Sequence, residues 1–153
     1  MKLLLLGCTG QVGWELQRAL QPLGAVTALD FNSTPRADFT QVDELAALVR
    51  NERPDVIVNA AAHTAVDKAE AEPDLARTIN ALAPGRLATE AAAIDALLVH
   101  YSTDYVFDGS GDQPRAEDAP TGPLSVYGRT KLEGEEPIRA SGCLHLILRT
   151  SWV

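Results

Sequence analysis

Leu3-Leu4-Leu5-Leu6-Gly7-Cys8-Thr9-Gly10-Gln11-Val12-Gly13 decides the fold. Four consecutive apolar residues read as a strand buried on both faces. Gly7, Gly10 and Gly13 then permit a sharp turn, a close backbone approach to a ligand, and tight helix–strand contact. Val12, Leu16, Ala19 and Leu20 fall on one face of the helix that follows. A helix opening out of a glycine turn presents free N–H groups and a partial positive charge, the chemistry that holds a pyrophosphate. The spacing is G-x-x-G-x-x-G, and its strand–turn–helix setting gives the triplet its meaning.

Outward from this stretch, short apolar runs alternate with amphipathic ones, the pattern of successive βαβ units. Strands are predicted at 3–6, 25–30, 56–58, 97–101 and 144–148. Pro22 and Gly24 stop the first helix, and Thr40 is placed to cap a second helix with Leu45, Leu48 and Val49 on its apolar face. An Ala-rich helix is expected over 73–94, kinked or restarted near Pro84. A last helix spans 126–138. The stretch 102–124 is rich in Pro and Gly and reads as a long functional loop. The predicted fold class is α/β, a Rossmann-type doubly wound parallel sheet with helices on both faces. Residues 1–153 are expected to form one NAD(P)-binding domain of a longer protein, because Arg149-Thr150-Ser151-Trp152-Val153 follows a core strand with no closing helix.

The totals agree. Of 153 residues, 46% are hydrophobic and 22% charged, ordinary values for a globular domain. A net charge of −8 argues against nucleic-acid or anionic-membrane partners, whose phosphates attract Lys and Arg. The apolar run after Lys2 is too short for a signal peptide and leads into the glycine turn, so a cytoplasmic location is expected. Cys8 and Cys143 read as buried thiols rather than a disulfide.

The chemistry-bearing residues lie at predicted strand ends. Asp30 ends the second strand, seventeen residues after Gly13, where an acid meets adenosine ribose hydroxyls. Its carboxylate favours NAD(H), and Arg36 offsets that preference toward NADP(H). Asp38 and Phe39 are either adenine contacts or a turn acid and a core ring. Asn59-Ala60-Ala61-Ala62-His63 ends a strand in small side chains that let a flat cofactor approach, with His63 a candidate wall for a ribose. Tyr127-Gly128-Arg129-Thr130-Lys131 starts a helix, and positions i and i+4 share a face. A free phenol titrates near 10. A neighbouring ammonium would stabilise the phenolate and suit it to proton exchange with a carbonyl oxygen. Tyr101-Ser102-Thr103-Asp104, at the end of another strand, adds a hydroxyl for the same oxygen. Trp14 reads as a packing residue, and His100 and His145 as structural. The acids Asp67, Glu70, Glu72 and Asp74 are explained by a helix start, so no metal site is assigned.

Together with Tyr105-Val106-Phe107, these motifs resemble the extended short-chain dehydrogenases/reductases. Within them, Gly10-Gln11-Val12-Gly13, Ala62-His63-Thr64-Ala65-Val66-Asp67-Lys68-Ala69-Glu70 and Arg149-Thr150-Ser151-Trp152-Val153 resemble the N-terminal half of the dTDP-4-dehydrorhamnose reductase family. That resemblance implies NADPH- or NADH-dependent reduction of the C4 ketone of a dTDP-sugar. It further implies a smaller C-terminal substrate domain outside this chain. By motif position, Tyr127, Lys131 and Thr103 are catalytic. Gly7, Gly10, Gln11, Val12, Gly13, Asp30, Asp38, Phe39, Ala61, Ala62, His63, Tyr127 and Lys131 bind cofactor, and Thr103, Asp104 and Trp152 touch the sugar. It also implies a homodimer and, through Glu15, Mg²⁺ at the dimer contact in some members. Two other functions share many of these motifs: a nucleotide-sugar epimerase or dehydratase of the same superfamily, and a non-catalytic cofactor-binding regulatory subunit.

Overall fold

A computed structural model describes residues 1–152; Val153, the last residue of the Thr-Ser-Trp motif region, lies outside the described residues. Strands β1 (Lys2–Leu6), β2 (Ala25–Leu29), β3 (Val56–Asn59), β4 (Leu97–Thr103) and β5 (His145–Thr150) form one sheet ordered β2-β1-β3-β4-β5. Every neighbouring pair is parallel. β1 lies between β2 and β3, so the chain winds outward from it in both directions. The strand order therefore reverses beside Gly7, and ligands of open α/β sheets bind in the crevice at that switch point.

The helices are α1 (Gln11–Ala19), α2 (Val42–Glu52), α3 (Val66–Ala71), α4 (Pro73–Arg77), α5 (Ala83–Ala93) and α6 (Val126–Ala140). The twofold alternation of strand side chains divides β1 between two cores. Leu4 and Leu6 join Ile57 and Leu98 against Leu45 and Val49 of α2, Leu87 and Ala88 of α5, and Ile138 of α6. Leu5, with Val58, faces the other way onto Leu16 of α1 and Leu20 just after it. Leu45, Leu87, Leu98 and Ile138 are fully buried, each burial contributing roughly 1.5–3 kcal/mol. The sheet is thus covered on both faces, but unequally, and Leu146 and Leu148 of the edge strand β5 remain exposed.

Several local expectations need correcting. The Ala-rich helix is not one helix: α4 and α5 are joined by a wide π turn over Thr78–Leu82, in which the Ala83 N–H reaches Thr78 O. Pro84 falls in the first turn of α5, where its missing N–H costs little. The change of hydrogen-bond register comes just before the proline. Thr40 does not cap α2, which starts at Val42 without a side-chain cap. Its hydroxyl and N–H both donate to Asp38 Oδ1, at 2.7 and 2.9 Å. β4 and β5 run two residues further than predicted, to Thr103 and Thr150. The helix start expected around Asp67, Glu70, Glu72 and Asp74 comes earlier than residue 73: α3 is a separate six-residue segment with a single buried residue, Ala69. Trp14 does not pack but is 67% exposed on α1. Cys8 and Cys143 are buried free thiols. Among the described residues, no helix is long and apolar enough to cross a membrane.

Candidate active site

The C-terminal ends of the strands and the loops that follow them enclose a cleft of about 740 Å³. Gly7, Gly10, Gln11 and Val12 line it at the β1–α1 turn. Asp30, Phe31, Asp38 and Phe39 line it beyond β2, Ala60 to Ala62 beyond β3, and Thr103, Asp104, Tyr127, Lys131 and Trp152 at the far end.

The glycine turn is dictated by close approach. Gly7 has φ +81°, and a Cβ there would lie 2.6 Å from Ala61 N. A Cβ on Gly13 would overlap the Gly7 carbonyl oxygen. Gly13 thus packs helix against strand and does not itself line the cleft. Gly10 differs: a Cβ there would meet only Gly7 O, at 3.5 Å. Gly10 flanks α1 without a side-chain cap. The first-turn N–H groups have no partners inside the helix and no side-chain cap, and Gln11 and Val12 line the cleft. This arrangement fits a pyrophosphate.

Asp30 sits just past the end of β2. Hydrogen bonds from Thr9, Ser33 and the Asn32 backbone hold its carboxyl below the usual range, against a smaller opposing effect of burial. Ser33 Oγ and Asn32 N donate to Oδ1 at 2.9 and 2.8 Å. A fixed anion at this point suits ribose hydroxyls. The Arg36 guanidinium lies over the Phe31 ring, 3.6 Å from its centroid, and donates to the Phe31 carbonyl. It is also 3.5 Å from Asp38 Oδ2. Arg36 does not itself line the cleft, but it contacts Phe31 and Asp38, which do. Phe39 belongs to the larger core and also lines the cleft.

Beyond β3, Ala61 and Ala62 form part of the wall, but the His63 side chain does not line it. The His63 imidazole is turned toward Glu72, 3.7 Å away. Buried Asn80, in the π turn, grips the backbone of His63 by accepting from its N–H at 2.8 Å and donating to its carbonyl at 3.1 Å. Asn80 also donates to Thr130 Oγ1 of α6, tying the β3 loop to the helix that carries Tyr127. No spacing rule marked Asn80, because its role depends on a widened helical turn.

Ser125 caps α6 by accepting from the Gly128 N–H at 3.0 Å. Tyr127 is therefore in the first turn, half-buried, its ring edge-on to Tyr105 with centroids 5.6 Å apart. Gly128 allows this approach, since a Cβ there would overlap the Tyr105 carbonyl. Burial pushes the Tyr127 phenol above its ordinary value, Asp104 and Tyr105 add to the rise, and a hydrogen bond with Thr103 pulls the other way. The Thr103 hydroxyl is 3.2 Å from Asp104 Oδ1 and accepts from Tyr105 N at 3.2 Å. Lys131 is almost wholly buried. It donates to the Tyr101 carbonyl at 2.6 Å. Burial lowers its pKa to about 8, with Glu135 opposing. The expected lowering of the phenol by the ammonium is therefore not what this geometry produces: the amine is engaged by β4, and the phenol keeps its proton.

Among the described residues, no group of three or more His, Cys, Asp or Glu is arranged to hold a metal ion. Glu15 is exposed on α1 and paired with Arg18 at 2.6 Å. A lone carboxylate so engaged does not make a Mg²⁺ site within this chain.

The model of the RmlD substrate binding domain family matches residues 1–153. The chain belongs to this family. It is 56% identical to a dTDP-4-dehydrorhamnose reductase of Escherichia coli K12, over all of this chain and 52% of that protein. With a Burkholderia thailandensis protein of the same name the identity is 46%, over all of this chain and 50% of the relative. A crystal structure of the dTDP-4-dehydrorhamnose reductase of Clostridium acetobutylicum superposes with a TM-score of 0.93 at 42% identity, covering 99% of this chain and 54% of that one. A Bacillus anthracis reductase in complex with NADP gives a TM-score of 0.88 at 35% identity, covering 99% and 53%. The RmlD-family chain thus spans about half the length of the relatives it matches.

Proposed function

We propose that this chain is the NAD(P)-binding domain of a protein that reduces the C4 ketone of dTDP-4-dehydro-L-rhamnose to dTDP-L-rhamnose. The observation that carries the reading is that Thr103 at the end of β4 and Tyr127 and buried Lys131 of α6 line the same cleft as the glycine turn. Full-chain similarity to reductases of this name supports the substrate, and the NADP complex of one relative supports the cofactor. Either NADPH or NADH suits the adenosine end, where Asp30 and Arg36 both stand.

In this reading, the open N–H groups after Gly10, with Gln11 and Val12, hold the pyrophosphate. Asp30 takes the adenosine ribose, Asp38 and Phe39 border the adenine, and Lys131 holds the second ribose. When bound, the reduced nicotinamide supplies a hydride to the ketone carbon. Tyr127 retains its proton because its site is partly desolvated, and gives it to the ketone oxygen as negative charge develops there. Thr103 donates a hydrogen bond to the same oxygen. Asp104 and Trp152 border the space left for the sugar. The raised proton affinity, due first to burial, keeps the phenol in the protonated form that can donate to the ketone oxygen. A homodimer and a cytoplasmic location belong to the same proposal, checked by sedimentation and by cell fractionation of the whole protein.

The test is oxidation of NADPH or NADH by the whole protein in the presence of dTDP-4-dehydro-L-rhamnose, with the dTDP-sugar product identified. Absence of turnover in protein that binds the cofactor would return the domain to a binding role.

A further inference from the structure

The catalytic reading leaves one buried group unused. His100, in the middle of β4, has no exposed surface and stands between two polar side chains. Its Nδ1 is 3.0 Å from Asn59 Nδ2, and its Nε2 is 3.5 Å from Lys131 Nζ. The orientation of Asn59 is fixed independently. The Ala61 backbone N–H donates to Asn59 Oδ1 at 3.1 Å, so the amide nitrogen must be the atom facing the imidazole. An amide N–H requires an acceptor, which makes Nδ1 the unprotonated nitrogen of a neutral ring and places the ring proton on Nε2.

We propose that Asn59 and His100 are positioning residues for Lys131: Asn59 fixes the Nε2–H tautomer of His100, and that N–H is aimed at Nζ, where it favours the uncharged amine. An ammonium has only donors and opposes an N–H, whereas a neutral amine offers it a lone pair. Interactions that favour the neutral form reduce proton affinity. The other groups around Nζ define its state. Tyr101 O accepts one of its protons from β4, and Glu135, one turn along α6, favours the charged form. The Glu135 carboxylate is itself engaged by Ser102, Arg139 and Arg149, so it does not form an ion pair with Lys131. His100 stays neutral because burial, aided by Lys131, keeps its pKa well below the usual value. A lysine arranged this way releases and regains a proton near neutral pH. The consequence for turnover rests on the reductase reading; the tautomer and the titration do not.

Nitrogen-15 and carbon-13 NMR of the chain tests this directly, because the sequence has three histidines and only three lysines, Lys2, Lys68 and Lys131. In the unmodified protein, the His100 ring is expected to show the Nε2–H tautomer from pH 5 to 9, and Lys131 to titrate at about 8. An Nδ1–H or doubly protonated ring in that range overturns the proposal. In His100→Phe, which removes the N–H, the Lys131 midpoint should rise by about one unit. In Asn59→Asp, the ring should switch to the Nδ1–H tautomer and the Lys131 midpoint should also rise. A Lys131 midpoint that stays in place or falls in folded His100→Phe overturns the proposal. Loss of hydride transfer in the whole protein, with these signals as expected, would instead remove the reductase reading and leave the positioning pair standing.

Discussion

Arg149 of β5 and Glu135 of α6 meet in a two-point contact, Nε to Oε1 at 3.0 Å and Nη2 to Oε2 at 2.7 Å. Glu135 is fully buried and also accepts from Ser102 Oγ at 2.5 Å. One carboxylate therefore joins the last strand, the end of β4 next to Thr103, and the helix that carries Tyr127 and Lys131. Burial works to raise the Glu135 pKa, but the hydrogen bonds from Arg149, Ser102 and Arg139 prevail and lower it.

Removing that carboxylate leaves Arg149 without its partner. Glu135→Gln should destabilise the domain by about 3 kcal/mol, measured by denaturant unfolding. The pH dependence follows in sign: a depressed carboxyl pKa adds stability above the unfolded value near 4.5. That stability is lost as pH falls through the lower folded value. Wild type should lose this increment on acidification, whereas the variant, lacking the group, should show a shallower acid limb.

The three glycines should separate by mechanism. Gly7→Ala strains a left-handed residue and drives Cβ into Ala61, and Gly13→Ala collides with Gly7 O. Both should unfold the domain or cost it more than about 2 kcal/mol. Gly10→Ala has room and should fold normally, yet crowd the proposed phosphate site. Calorimetric titration with NADPH is expected to show roughly tenfold weaker binding, about 1.4 kcal/mol. Equal stability losses at all three positions would contradict this assignment.

Tyr127→Phe removes the hydroxyl proposed as proton donor while leaving the ring against Tyr105. The expected result is a fall in kcat of roughly 10²–10⁴ with cofactor affinity kept. Undiminished turnover would end the role assigned to the phenol.

Lys131 should prove costly to the fold. Its pKa is lowered by burial from 10.5 to about 8, so the folded state disfavours the charged amine. The penalty is fully present below pH 8 and is relieved between pH 8 and 10.5, where the folded chain has released the proton and the unfolded chain has not. Lys131→Met, close in shape and uncharged, should raise stability at neutral pH by about 2–3 kcal/mol while weakening cofactor binding. A variant less stable than wild type at pH 7 would show that the Tyr101 hydrogen bond outweighs desolvation.

The five strands, the glycine turn and the Tyr127–Lys131 face could be read from the chain because each rests on local periodicity. Alternation of two places strands, a repeat near 3.6 places helices, and i,i+4 spacing places two side chains together whatever surrounds them. Where local pattern was silent or ambiguous, the reading failed. Trp14 reads as a packing residue, although the sheet face under α1 is filled by Leu16 and Leu20 instead. His63 lies in a motif of small residues around the cleft, but Asn80, seventeen residues later, turns its backbone so that the ring points toward Glu72. His100 alternates with apolar neighbours, reads as structural and is fully buried in β4; nothing local reveals Asn59 on one side and Lys131 on the other.

By itself, then, the sequence determined the strand–turn–helix unit, its glycine turn, and which side chains share the first turns of α6. Tertiary structure alone decided the charge states. Whether Lys131 meets a carbonyl or a phenolate, whether Glu135 is buried with two arginines, and which nitrogen of His100 carries hydrogen all depend on groups from different strands and helices. Those contacts set desolvation and hydrogen-bond partners, and proton affinity follows from surroundings rather than from residue order.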